Sequence, residues 1–212
     1  MDDRTSALVA LSASLARGSR GEWRDHMTRA LQSCAATEIE EAILQSCLFL
    51  GYPTTLQALA VWREVTQEPV SVESPVNVET WRERGQEVCA AVYGGQYERL
   101  RANVVRLHPD VEQWMLLEGY GKIIGRPGFD LKTRELCIIA LLASQEAPHQ
   151  LYSHLRGALQ TGSSLAEVDE VVMSVVRALP TDRAQQARQL WSELRARKLK
   201  GDGEGDGEER LE

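Results

Sequence analysis

The sequence predicts an all-α protein built from two tandem helical repeats, and three observations carry that prediction. Apolar residues recur at helical spacing along most of the 212 residues. Clusters of Gly and Pro fall between those stretches, at Gly51-Tyr52-Pro53, Gly94-Gly95, Gly125-Arg126-Pro127-Gly128 and Ala147-Pro148. The pattern also repeats. An offset of 128 lays 1–34 over 129–162 without a gap, pairing Asp2 with Asp130, Thr5 with Thr133, Leu8 with Leu136, His26 with His154 and Ala30-Leu31-Gln32 with Ala158-Leu159-Gln160.

The first repeat is expected over 1–67. Helices are predicted at 5–16, 21–32 and 38–50, the last with Ile39, Ala42, Ile43, Ser46, Cys47 and Leu50 on one face. Gly51-Tyr52-Pro53 breaks that helix, and Pro53 suits the first turn of another that runs to about 66 and carries Trp62. The Pro- and Val-rich stretch 68–78 reads as an extended linker, and the second repeat follows over 79–200. It opens with amphipathic helices at 80–93 and 96–107, then one from Pro109 to near Gly125. Asp130 caps a helix through Ala143 that is apolar on every face over 136–143, so it is expected to be buried on every side. In the next helix, 148–160, Leu151, Leu155, Ala158 and Leu159 form a core-facing stripe. The stretch 165–178 repeats the 38–50 helix, and Pro180 opens a final helix to about 198 in which Trp191 mirrors Trp62. Residues 201–212 are almost entirely glycine and acid; they bury too little to offset ordering entropy and are expected to be disordered.

Within this scaffold two helices hold groups with chemical potential. Glu135 sits one turn into the most apolar helix, either stabilised by the helix dipole or put to use. His154 lies at the edge of the 148–160 stripe, with Gln150 one turn before it on the same side. Such a histidine is either a satisfied structural residue or a catalyst, and its recurrence at His26 favours the second reading. There Glu22 takes the place of Gln150 and Ala7 that of Glu135.

Bulk properties exclude several classes. Net charge is -7 with pI near 5.3, and no Lys/Arg cluster is present, which argues against nucleic acid or an anionic membrane as partner. The chain starts Met1-Asp2-Asp3, acidic where a secretory leader is basic, and no apolar run approaches the ~18 residues of a bilayer span. A cytoplasmic protein is the expectation. Cys34, Cys47, Cys89 and Cys137 are isolated, with neither metal-ligand nor redox-pair spacing, so no metal and no cofactor are expected.

The order Arg126-Pro127-Gly128, Lys132-Thr133-Arg134-Glu135-Leu136, an apolar helix, His154-Leu155-Arg156, Gly162 and Glu167-Val168-Asp169-Glu170 resembles the carboxymuconolactone decarboxylase family. That family's relatives include the alkylhydroperoxidase-like disulfide reductases. The resemblance covers 86–179 well and 1–65 more faintly, through Glu38-Ile39-Glu40-Glu41 and Gly51-Tyr52-Pro53. The hydroperoxidase-like branch places Cys-x-x-Cys seven and four residues before the histidine and a glutamate nineteen before it; this chain has Ala147, Gln150 and Glu135 there, and Ser19, Glu22 and Ala7 in repeat one. Glutamate four before the histidine, the decarboxylase pattern, survives as Glu22 before His26.

What the resemblance implies is a cofactor-free carboxy-lyase acting on a small carboxylated lactone. His154 would be the proton donor, Glu135 its orienting or relaying partner and Gln150 a hydrogen-bond donor to a substrate carbonyl. Arg126 or Arg156 would anchor a carboxylate, with Glu22 and His26 forming a second related site. Arg126 reads equally as an exposed loop residue. Two further readings remain open: a peroxidase, weakened by the missing thiols, and a non-catalytic assembly protein, since neither repeat keeps the whole pattern. Single-repeat relatives associate into trimers or hexamers, so a homotrimer is expected.

Overall fold

The computed structural model describes residues 1–67, 69–70, 72, 77–128, 130–145 and 147–200. The expected disordered tail, 201–212, and most of the expected linker lie outside the described residues. Helices account for almost everything described: α1 Asp3–Arg17, α2 Arg20–Ala30, α3 Ala36–Val65, α4 Val78–Tyr93, α5 Tyr97–Leu107, α6 Pro109–Trp114, a π-helix Met115–Ile124, α7 Leu131–Ala143, α8 Pro148–Gln160, α9 Leu165–Val176 and α10 Thr181–Leu199. No strand occurs among the described residues.

Local chemistry sets the helix starts. Asp2 and Asp130, equivalent in the two repeats, each accept a backbone N–H three residues on, from Thr5 at 2.7 Å and Thr133 at 2.8 Å. Such caps contribute about 1 kcal/mol each. The break anticipated at Gly51 is a kink, because Gly51 adopts φ 72 while the chain resumes helical geometry through Pro53 to Val65.

The duplication extends into side-chain contacts. Arg4 pairs with Glu38 in repeat one as Lys132 pairs with Glu167 in repeat two. Trp62 donates its indole N–H to Glu40 at 3.2 Å, and Trp191 donates to Asp169 at 2.9 Å. A guanidinium reinforces each acid, Arg63 on Glu40 and Arg195 on Asp169. Each latch ties the third helix of a repeat to the segment that closes it. Burying an indole while its N–H stays bonded avoids the cost of an orphaned donor.

The repeats share one core. α7 lies between α1 and α3 of repeat one and α8 and α9 of repeat two, and Thr133 to Ala143 are all buried, as the all-round apolar pattern predicts. A single hydrophobic cluster runs from Leu8 and Met27 through Leu136 and Ile139 to Val172 and Trp191.

The stretch predicted as one helix from Pro109 changes pitch at Met115. Gly125 N–H donates to Tyr120 C=O at 2.8 Å, five residues back, a π-type closure. Here α4 and the π-helix approach backbone to backbone. A Cβ on Gly85 would lie 2.0 Å from the Leu116 carbonyl oxygen, and one on Gly121 would lie 2.0 Å from that of Trp81. Arg84 completes the contact by donating to the Gly121 carbonyl at 2.6 Å.

Candidate active site

Glu135 is fully buried in the second turn of α7, and His154 reaches it from the middle of α8. His154 Nδ1 lies 2.8 Å from Glu135 Oε2. The carboxylate fits there because Gly157, one turn beyond His154, leaves the space open. Its other oxygen, Oε1, is buried with no hydrogen-bond partner among the described residues. The ring of Phe49, from α3, stands perpendicular to the imidazole, at 6.0 Å between ring centroids and 83° between planes. With Nδ1 committed to the acid, Nε2 is the nitrogen available to chemistry.

That imidazole borders a cleft of about 1700 Å³ between α8 and α10 on one side and α5, α6 and the π-helix on the other. Gln150, Ser153 and Arg156 line it from α8 together with His154. The far wall is mixed: Leu100, Val104, Leu107, Val111 and Trp114 are interspersed with Arg99, Asn103, Arg106 and Glu118. Tyr93 and Tyr120 stand on the cleft with ring centroids 6.1 Å apart, edge to face. Burial pushes the Tyr93 hydroxyl up to about 12 and raises that of Tyr120 well above its ordinary value, so both keep their protons at neutral pH.

Of the residues singled out in the sequence, Glu135 and His154 are therefore in contact, and Gln150 and Arg156 share the cleft with the imidazole. Arg126 stands elsewhere. Its guanidinium holds Glu41 through Nε at 3.1 Å and Nη2 at 3.0 Å, and it is not on the cleft wall. In repeat one Glu22 folds back onto its own helix start, accepting the Ser19 N–H at 2.6 Å in a capping box. His26 is half-buried, and burial, with Arg29 adding to it, lowers its pKa. No carboxylate hydrogen-bonds it among the described residues, since Ala7 stands where Glu135 would.

Sequence reasoning missed Tyr93, Tyr120, Ser153 and Phe49. The tyrosines come from distant segments that no short-range spacing connects. Phe49 left a trace: Glu41, Gln45 and Phe49 recur every four residues on α3, a partly polar stripe beside the apolar face. No cluster of three or more His, Cys, Asp or Glu poised for a metal ion occurs among the described residues. The four cysteines are free thiols, and no described helix is long and apolar enough to cross a membrane.

Fold and site together define a duplicated helical protein with a buried acid–imidazole pair at the edge of a cleft. The chain belongs to the Carboxymuconolactone decarboxylase family, which it matches over residues 1–64 and 109–193. It is similar to a 4-carboxymuconolactone decarboxylase of Acinetobacter baylyi, 28% identical over 112 residues, 51% of this chain and 84% of the relative. The stretch between the two matched segments carries α4 and α5, which supply Tyr93 and Arg106 to the cleft.

Proposed function

We propose that the chain is a carboxy-lyase acting on a small carboxylated lactone, with its working site in repeat two. The Nδ1–Oε2 contact of 2.8 Å between His154 and Glu135 carries this reading. A carboxylate behind the ring fixes its orientation and stabilises the imidazolium, so that Nε2 presents a proton toward the cleft. Arg156 anchors the substrate carboxylate that is retained, and Gln150 donates to the lactone carbonyl. As the bond to the departing carboxylate breaks, its electron pair delocalises toward that carbonyl and carbon dioxide leaves. The resulting carbanion takes the Nε2 proton at carbon, leaving neutral imidazole to be reprotonated from solvent. Tyr93 and Tyr120, whose hydroxyls hydrogen-bond each other, give the cleft a further neutral donor for the developing oxyanion.

The thiol-peroxidase reading finds less support. It requires a thiolate and a resolving thiol, and burial pushes Cys89 and Cys137 up to about 12, far from thiolate at neutral pH. The homotrimer expectation is retained as part of the proposal; the exposed Tyr52 and Leu56, off the cleft, offer apolar surface for association.

The test is decarboxylation of 4-carboxymuconolactone, followed by substrate absorbance and carbon dioxide release. His154→Ala and Glu135→Gln are each expected to lower kcat by about 10²-fold or more. A rate that His154→Ala leaves unchanged defeats the assignment.

A further inference from the structure

Repeat one has lost the acid that would face His26, yet its third helix reaches into the site of repeat two. Three residues of α3, four apart and hence on one face, make the approach. Glu41 accepts from Arg134 Nη2 at 3.0 Å, and Arg134 also donates to the Arg126 and Pro127 carbonyls at 2.7 and 3.4 Å. Gln45 donates its amide to the backbone carbonyl of Arg134 at 3.2 Å and faces the guanidinium at 3.4 Å through Oε1. Phe49 packs its ring perpendicular to that of His154, and its own carbonyl is held at 2.8 Å by Gln145, just beyond the end of α7.

We propose that Glu41, Gln45 and Phe49 of repeat one are positioning residues that clamp the Glu135–His154 pair of repeat two, so that the degenerate repeat holds the reacting groups of a single site in place. Arg134 immediately precedes Glu135, so bonds to its side chain and carbonyl fix the turn of α7 that aims the carboxylate. Phe49 fixes the other member of the pair. Glu41 and Gln45 are buried, where a hydrogen bond is not traded for one with water.

The duplication supplies an internal comparison. Glu38 matches Glu167 and Trp62 matches Trp191 at an offset of 129, so Glu41, Gln45 and Phe49 correspond to Glu170, Ser174 and Ala178. Glu170 takes the amino group of Met1 at 2.5 Å, Ser174 turns its hydroxyl to the Val171 carbonyl at 2.8 Å, and Ala178 has no ring to offer. Repeat two thus has no equivalent clamp for His26, which matches the loss of the acid at Ala7. One repeat kept the reacting groups and the other kept the groups that hold them.

This inference rests on the reading of Glu135 and His154 as the working pair, and its test needs no substrate. Nitrogen-15 NMR of the imidazoles in the full chain, at a pH where His154 is neutral, reads which ring nitrogen carries the proton; the His154 signal is the one absent from His154→Gln. The wild-type protein is expected to hold the Nδ1–H tautomer, because Glu135 accepts there. Gln45→Ala and Phe49→Leu, folded by circular dichroism, are expected to lose that preference by at least about threefold in tautomer ratio, whereas Ser174→Ala leaves it unchanged. Should Gln45→Ala not fold, Phe49→Leu, which removes the aromatic ring but keeps an apolar side chain of similar length, decides the matter. A wild-type tautomer ratio in the folded clamp variants overturns the proposal. If the tautomer shifts but the wild-type chain decarboxylates nothing, the lyase reading fails and the clamp stands. If it does decarboxylate, Phe49→Leu and Gln45→Ala are expected to lower kcat about tenfold.

Discussion

A Cβ placed on Gly157 lies 2.6 Å from Glu135 Oε2 and 2.8 Å from Val92 Cγ1, so the absent side chain on α8 is what makes room for the carboxylate of α7. Real contacts of that length do not persist. Gly157→Ala is therefore expected to push Glu135 away from His154 and to lower kcat about tenfold or more, while overpacking costs about 1–3 kcal/mol, against roughly 1 kcal/mol of helix propensity gained. Gly95→Ala provides the contrast: no atom lies within 4 Å of its Cβ position and it stands off the cleft wall, so it is expected to leave activity intact and to change stability by less than about 1 kcal/mol. Urea unfolding of both variants checks the pair, and equal effects would remove the steric explanation.

The crossing of α4 with the π-helix predicts a larger loss. Gly121→Ala sets a methyl 2.0 Å from a backbone carbonyl oxygen, and backbone gives way less readily than a side-chain tip. The helices must separate, exposing the buried Tyr120 and Ile124. A loss of about 3 kcal/mol or more is expected, read as a fall in melting temperature; a melting curve equal to wild type contradicts the close crossing.

Acid stability should depend on Glu167. A hydrogen bond from Lys132 at 2.6 Å, with the Ser164 backbone N–H, holds its carboxyl well below the usual range, at about 2. A folded-state pKa below the unfolded value of roughly 4.3 stabilises the fold above that pH and loses the contribution as pH falls toward 2. Glu167→Gln is expected to flatten the acid limb of the stability curve between about pH 4.5 and 2, with a smaller effect on its slope near neutrality. Chemical denaturation across that range is the measurement.

Thiol chemistry should follow burial. Cys89 and Cys137 are buried, with thiols pushed up to about 12, and burial also raises Cys34. Cys47 alone of the four is partly exposed. A disulfide reagent at pH 8 is expected to modify Cys47 first and the remaining three only as the protein unfolds. Rapid reaction of Cys137 in the native protein would contradict the packing of α7.

The cap at Asp130 and the buried α7 were legible because each depends on residues within a turn or two: a short carboxylate before a helical run, or a run apolar on every face. The Trp62 and Trp191 equivalence was legible too, because duplication copies spacing along with contacts. The pitch change at Met115 was not. A π-turn leaves the apolar periodicity nearly intact, and the backbone it packs against, at Gly85, belongs to another helix thirty-odd residues upstream. For the same reason Arg126 read as an anchor or a loop residue: its partner, Glu41, is 85 residues away.

The sequence by itself determined the helical class, the duplication, the boundaries of most helices and the candidacy of Glu135 and His154, all consequences of local spacing and of a pattern copied within one chain. The tertiary structure alone decided that these two groups touch, that a missing side chain at Gly157 admits the carboxylate, that Tyr93 and Phe49 join the site, and that Glu22 and Arg126 bond elsewhere. Those outcomes depend on which helix faces meet, and the relative placement of helices follows from burying many faces at once, which no short stretch of sequence encodes.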